Sequence, residues 1–398
     1  YLKDFRFKGD IYAVPEGTVV FPGEPLLRFH GTTTEAMLLE TGLSMIMNHE
    51  SLIATKARRV RTVAPKDALM EFGLRRAQGH SAGLWGARAA MIGGFNGTSN
   101  VEAGKRFGIP VLGTMAHSWV MSFDEEIDAF REYVRQYHDN LILLADTYNV
   151  LEMGVPHAIQ VFKELKEEGR LPGKYGIRID SGDIAYLSQE ATRMFTEAGF
   201  PNAIISGSND LDEYTIQSLK AQGCTVTSWG VGTKIITADG TSALGGVFKM
   251  AVKEADGEEI PVMKFSNDVE KMTNPGIKTV YRFYKKDTGK MITDLVCLHD
   301  EKAADGGDFT LVTESAKWRR KELKAGTYTV EELLRPVVEN GRNLPLPALP
   351  EIIRYANTQM DTLWPEYTRL LNPDLMEINL SDKLQALKSE LIRRELGE

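Results

Sequence analysis

Five short segments of this sequence put glycines, a ring, a cation, a carboxylate or an imidazole directly behind an apolar run. They are Phe72-Gly73-Leu74-Arg75-Arg76, Gly113-Thr114-Met115-Ala116-His117-Ser118, Arg178-Ile179-Asp180-Ser181-Gly182-Asp183, Ser206-Gly207-Ser208-Asn209-Asp210 and Trp229-Gly230-Val231-Gly232-Thr233. The third joins a cation to two carboxylates, which can hold ribose hydroxyls or Mg²⁺ while the arginine engages an anionic group. The plain alternative is that Asp183 or Ser181 caps the next helix and Arg178 pairs with Asp180. In the last two segments small residues let backbone N–H groups approach a phosphate, and Asp210 is expected to cap a helix beginning at Leu211. Ordinary turns are the competing reading, and two such loops on consecutive units bring the two readings level. His117, with Ser118 beside it, has the chemistry of a nucleophile or an acid–base group, or that of a structural histidine. Phe72 and Arg75 suit a flat base and a phosphate, or a core and a surface. His30, His49, His80, His138, His157 and His299 show no metal-ligand spacing.

These segments act together only if the chain brings them to one place. From about 68 to 236, apolar runs alternate with amphipathic stretches. Strands are expected at 68–72, 110–114, 140–145, 176–179, 203–206 and 225–229, with helices at 124–137, 156–168, 184–198 and 211–222. Repeated strand–helix units imply parallel strands with helical crossovers, and five or six of them form a barrel or partial barrel. The chemistry then belongs where strands end and helices begin. Ahead of this region, β-type runs at 11–14, 18–20 and 26–29 are punctuated by Pro15, Gly17, Pro22, Gly23 and Pro25, and a helix is expected over 33–57. Behind it, β-type runs recur at 247–252, 262–265, 279–284 and 291–298, followed by a proline-rich stretch and terminal helices.

The whole reads as an α/β protein in three stretches: β-type runs and a helix over 1–60, the strand–helix units over 61–245, and a return to β-type runs with a helical extension over 246–398. Its 398 residues are 42% hydrophobic, enough for a large interior, and its net charge of -8 disfavours nucleic acid and anionic membranes as partners. Cys224 and Cys297 read as free thiols in a reducing compartment, and apolar runs such as 141–145 fall far short of the ~20 residues of a membrane span. A cytoplasmic protein is expected.

In these segments, together with Gly9-Asp-Ile-Tyr-Ala-Val-Pro-Glu-Gly17, Gly97-Thr-Ser99-Asn100 and Ser208-Asn-Asp-Leu-Asp-Glu-Tyr214, the sequence resembles the nicotinate phosphoribosyltransferases, relatives of nicotinamide and quinolinate phosphoribosyltransferases. The resemblance implies a sandwich domain joined to an incomplete α/β barrel, and a homodimer with active sites near the subunit boundary. It implies transfer of a phosphoribosyl group from phosphoribosyl pyrophosphate to nicotinate, with Mg²⁺ as cofactor and ATP as co-substrate. Under it, His117 is the histidine that ATP phosphorylates, Phe72 the stacking ring, and Arg75 a basic contact. Arg178 and Asp180 lie by the pyridine and ribose, with Thr114, Ser118 and Asp183 nearby. Ser208, Asn209, Gly230, Gly232 and Thr233 hold the ribose phosphate. Ser99 stands where nicotinamide-specific relatives carry an aspartate, and a serine there favours a carboxylate substrate. The family's N-terminal Thr-Asp-Leu-Tyr segment, whose tyrosine stacks on the pyridine from the neighbouring subunit, does not occur. The expectation is a segment ahead of Tyr1, or weak nicotinate binding without it. An aldol or isomerase barrel is the rival from another class, opposed by the lack of a strand-end lysine for a Schiff base. A non-catalytic nucleotide binder is opposed by His117, Asp180 and Arg178 together.

Overall fold

The structure is a computed structural model that describes residues 2–266, 272–303, 307–312 and 320–397. The chain divides into two compact units, 48–244 and 1–47 with 245–398. The long helix Thr33–Val63 contains the first division.

In unit 48–244 six strands lie parallel: β1 (Ala68–Glu71), β2 (Gly97–Thr98), β3 (Leu141–Leu144), β4 (Tyr175–Ile179), β5 (Ile204–Ser208) and β6 (Ser228–Val231). Their order is β2-β1-β6-β5-β4-β3, so consecutive strands β2 and β3 stand at opposite edges and the ring is left open between them. This is the expected incomplete barrel. Helices Glu126–Gln136, Val155–Glu167, Ile184–Glu197 and Glu213–Ala221 fall within or close to the expected spans. Both faces of the sheet are covered, which is why β3 is an unbroken Leu-Ile-Leu-Leu run with every residue buried. Phe162 packs its ring against Tyr175, Phe195 and Phe200 at 5.1 to 6.1 Å, joining two helices to the sheet. Each such buried side chain contributes about 1.5 to 3 kcal/mol.

The expectation of a strand at 110–114 is corrected. Strand β2 is the Gly97–Thr98 segment instead, and Val111 makes only an isolated parallel bridge to Thr98. Pro110 supplies a carbonyl to Thr98 N, and Leu112 N returns a bond to Thr98 O. Pro110 has no N–H and Gly113 adds no side chain, so the pairing stops there. The run at 18–20 is no strand either, because Thr18 N closes a turn onto Pro15 O and prolines flank it.

The other unit is β-rich. One four-stranded sheet orders Arg342–Asn343, Arg335–Glu339, Asp10–Ala13 and Leu27–His30. A second orders Tyr328–Glu332, Lys278–Lys285, Met291–Leu298 and Ile378–Leu380. Of the runs expected at 247–252 and 262–265, only Val252 lies in a strand. A hairpin of Val252–Ala255 and Glu258–Pro261 lies between them, turning at Asp256-Gly257, both at positive φ. Helices Leu349–Thr362 and Asp382–Leu396 follow. Neither Cys224 nor Cys297 is disulfide-bonded, and among the described residues no helix is long and apolar enough to cross a membrane.

Arg282 sits in this unit with no exposed surface and grips Asp294 through two bonds of 2.8 and 2.6 Å, with Gln359 at 3.2 Å. Glu24, equally shielded, lies 3.9 Å from the same guanidinium. Burial, reinforced by Asp294, pushes the Glu24 carboxyl up to about 10 against the pull of Arg282. Glu24 therefore takes up a proton on folding, and its contribution to stability falls as pH rises from the ordinary carboxyl range towards 10. Replacement by an uncharged isostere removes that dependence. In denaturant unfolding followed from pH 6 to pH 9, the wild type should lose stability relative to Glu24→Gln. A gap constant over that range would refute the assignment.

Candidate active site

Register sets the site. Leu144 pairs with Arg178, Arg178 with Ser206, and Ser208 with Gly230. Two residues beyond the first of these levels, at the carboxyl ends of the strands, Asp146, Asp180, Ser208 and Gly230 fall in one row by continuation of the same pairing. Period-two alternation turns their side chains to the same face as Arg178.

Arg178 uses its whole fork in this row. Its Nε donates to Ser208 Oγ, one terminal nitrogen to Thr114 Oγ1 and the other to Asp180 Oδ1, each at 2.8 Å. The Ser208 hydroxyl donates a very short bond to the same Asp180 oxygen. The guanidinium carbon lies 5.6 Å from the centroid of the Phe72 ring, close enough for a cation–π attraction. Burial alone would raise the Asp180 carboxyl; the Ser208 hydroxyl, Arg178 and His117 outweigh it and hold the group below its ordinary value. The row thus carries an ionised carboxylate and a fixed cation.

His117 opens the short helix His117–Val120. Its Nδ1 lies 3.2 Å from Thr147 Oγ1, while its Nε2 faces Asp180 Oδ2 at 3.7 Å and Asp146 Oδ1 at 3.9 Å. The Asp146 side chain is 1% exposed; its Oδ2 accepts from Ser181 Oγ at 2.6 Å, but Oδ1 has no hydrogen-bond partner. A buried carboxylate oxygen left in that state is expected to meet a cation or ligand. Among the described residues there is no group of three or more His, Cys, Asp or Glu that could cage a metal. Asp146 and Asp180 instead fit the Mg²⁺ habit of one or two carboxylates plus waters and substrate oxygens.

Phe72 sits just past β1, its backbone tied to Val231 O. A methyl group at Gly230 would come within 2.7 Å of two Phe72 ring carbons, and one at Gly232 within 3.1 Å of Phe72 O. The two glycines let β6 pass against the ring. Behind the ring, Glu71 is fully buried and accepts from Thr98 Oγ1 at 2.6 Å and, in a very short bond, from Gly73 N. Desolvation raises its pKa despite both bonds.

The structure therefore joins Phe72, Thr114, His117, Arg178, Asp180, Ser208, Gly230 and Gly232 by contact. Asp183 is the helix cap foreseen in the plain alternative, accepting from Tyr186 N at 3.0 Å. Ser99 is exposed, its backbone tied to Glu71 O. Arg75 and Ser118 are exposed beside Phe72 and His117, and Thr233 follows Gly232 at the start of a one-turn helix. The cap of the helix after Asn209 is corrected: Asp212, not Asp210, accepts from Thr215 N at 2.7 Å, and the helix starts at Glu213. Asp210 is instead at φ 35, in the left-handed region. Asp146, Thr147 and Glu71 were not singled out from the sequence, although Asp146 obeys the strand-end rule that found the others.

Residues 68–300 match the nicotinate phosphoribosyltransferase (NAPRTase) family, with its N-terminal domain at 1–48 and C-terminal domain at 277–388. The chain belongs to this family. It is an enzyme of the phosphoribosyltransferase class. It is 40% identical over 385 residues to the nicotinate phosphoribosyltransferase of Bacillus subtilis, covering 96% of this chain and 77% of that protein. Identity to the human nicotinate phosphoribosyltransferase is 33% over 436 residues, 96% of this chain and 79% of the other. The crystal structure of human nicotinic acid phosphoribosyltransferase superposes with a TM-score of 0.83 at 31% identity, over 97% of this chain and 83% of that one. A nicotinate-nucleotide pyrophosphorylase from Pyrococcus furiosus shares the fold, with a TM-score of 0.69 at 24% identity over 89% of this chain and 82% of that one.

The contact of Gly230 with Phe72 is testable as packing. Gly230→Ala should cost about 1 to 3 kcal/mol by overpacking, and combining it with Phe72→Ala should cost less than the two changes summed. Strict additivity in denaturant unfolding would show that the ring does not lean on this glycine.

Proposed function

We propose that this chain transfers the phosphoribosyl group of phosphoribosyl pyrophosphate to nicotinate, and that ATP drives the transfer through a phosphorylated His117. The products are nicotinate mononucleotide, an intermediate of NAD biosynthesis, and pyrophosphate. The observation that carries the reading is that Asp180 lies between His117 and Arg178, and Arg178 in turn lies against the Phe72 ring. The pyridine stacks on Phe72, and Arg178 draws its carboxylate. The bond from the anomeric carbon to pyrophosphate breaks with its electron pair leaving on pyrophosphate, and the ring nitrogen's lone pair forms the new C–N bond. Asp180, kept ionised by Ser208 and Arg178, stabilises the positive charge that develops on the ribosyl carbon. The turns at Ser208-Asn209 and Gly230–Thr233 receive the 5′-phosphate through backbone N–H groups. Holding both reactants in line supplies much of the acceleration.

Asp146 and Asp180 would hold Mg²⁺, which would supply positive charge to offset the negative charge on the departing pyrophosphate. In the ATP step, His117 Nε2 attacks the γ-phosphorus, the bond to ADP breaks, and ADP departs with the electron pair. The phosphoryl group adds about 1.5 to 2 negative charges beside Asp146 and Asp180, which raises affinity for the cationic metal complex and links ATP hydrolysis to product formation. We also read the protein as a cytoplasmic homodimer whose partner closes the pyridine pocket.

His117→Ala should abolish stimulation by ATP and leave a slow basal transfer, measured as nicotinate-dependent pyrophosphate release; ATP stimulation that survives the change removes the coupling. Among nicotinate, nicotinamide and quinolinate, nicotinate should be the preferred substrate, and Ser99→Asp should lower its kcat/KM at least about tenfold by placing a carboxylate near its own.

A further inference from the structure

Asn209 and Asp210 stand at φ 93 and 35, two consecutive non-glycine residues in the left-handed region. Each such residue costs roughly 1 to 2 kcal/mol and persists where its surroundings over-determine it. On one side of the turn, Ser208 is held by Arg178 and Asp180. On the other side Leu211 is 1% exposed and Glu213, the first residue of its helix, is also 1% exposed.

Glu213 is held by two cations from the long helix. Lys56 Nζ lies 2.8 Å from Glu213 Oε2, and Arg59 Nε donates to Oε1 at 2.7 Å. Arg59 also donates to the Tyr214 hydroxyl at 2.7 Å, so it fixes the first two residues of the helix together. Lys56 is itself 7% exposed. A carboxylate so buried between two cations loses several kcal/mol when its partners are removed. The expense is hard to assign to the helix alone, since Asp212 already caps it.

We propose that the Lys56–Glu213–Arg59 clamp positions the Asn209–Asp210 turn for binding of the 5′-phosphate, so that Glu213 is a positioning residue for phosphoribosyl pyrophosphate and not for the pyridine. The proposal rests on the functional reading above and assigns that site a support remote from the reacting atoms. With the clamp intact, the turn is pinned at Ser208, directly before Asn209, and at Glu213, three residues past Asp210 and directly behind the cap Asp212. Without it, the strained residues relax and their N–H groups no longer converge.

Glu213→Gln keeps the volume and removes the charge. It should raise the KM for phosphoribosyl pyrophosphate about tenfold, with kcat and the KM for nicotinate within about twofold of wild type. Lys56→Gln and Arg59→Gln, each leaving one ion pair, should give smaller rises of the same kind, and Arg59→Lys should restore most of the loss. Equal rises in both KM values, or a folded Glu213→Gln with an unchanged KM for phosphoribosyl pyrophosphate, overturns the proposal. If Glu213→Gln does not fold, unchanged values in both lysine and arginine variants overturn it. Calorimetric binding of phosphoribosyl pyrophosphate, which needs no turnover, separates the two readings. Weakened binding in the variant with no nicotinate transfer by the wild type would sink the function and keep the clamp, and unaltered binding beside a working wild type would do the reverse.

Discussion

The parallel register of the barrel sheet is what the site depends on, because it decides which side chains can share a level. Leu144, Arg178 and Ser206 are neighbours across three strands. One pleat towards the carboxyl ends, the same spacing brings Asp146, Asp180 and Ser208 abreast, and Gly230 completes the row. A slip of one residue in any strand would turn its member to the outer face. The register is defended by the apolar residues between these polar ones, such as Ile177, Ile179 and Ile205, each almost wholly buried. Packing behind the sheet thus fixes the chemistry in front of it.

A buried acid and a part-buried one on the same rim, Glu71 and Asp180, show how local partners decide charge. Glu71 has hydrogen bonds from a hydroxyl and a backbone N–H but, among the described residues, no ion pair, and desolvation wins, raising its pKa. Asp180 is also desolvated, yet it adds a guanidinium and an imidazole to its hydroxyl donor, and the balance reverses. The first suits an architectural part, locking β1 to Thr98 behind Phe72. The second suits a group that must stay anionic while positive charge develops near it. Arg178 has a matching restriction: with all three nitrogens directed at Ser208, Thr114 and Asp180, it cannot swing away.

Much of this was legible in the sequence. The alternation of apolar runs with amphipathic helices gave five of the six barrel strands, since fully buried parallel strands read as continuous hydrophobic runs. The exception, Gly97–Thr98, has two residues and no apolar signal of its own, and it pairs because Glu71 and Asn96 hold the flanking backbone. Strand-end polarity found His117, Arg178, Asp180 and Ser208. It passed over Asp146, where the polar character is delayed to the residue after Ala145, and over Glu71, which lies within the run expected at 68–72 and pairs with Val231, on the face opposite the row. The misplaced cap has a similar origin: Asp210 and Asp212 are chemically equal in sequence, and only the backbone at Asp210, turned left-handed, decides that Asp212 takes the N–H of Thr215. In the β-rich unit the runs at 247–252 and 262–265 had strand composition, but they meet only through Val262 N and Ala251 O at the foot of the polar hairpin, which had Asp256-Gly257 to turn it. Turn chemistry outweighed hydrophobicity there.

The placement of His117 gives the proposed coupling its physical logic. His117 Nε2 lies 3.7 and 3.9 Å from two carboxylates, whose negative charge repels an anionic triphosphate. A cation held by Asp146 and Asp180 would offset that repulsion. On this view the unpartnered Asp146 oxygen is not a defect of packing. It marks the place in the row where a positive charge from a ligand would be balanced by two carboxylates. Thr147, engaging Nδ1 from the strand end next to Asp146, keeps the other nitrogen turned towards that row throughout.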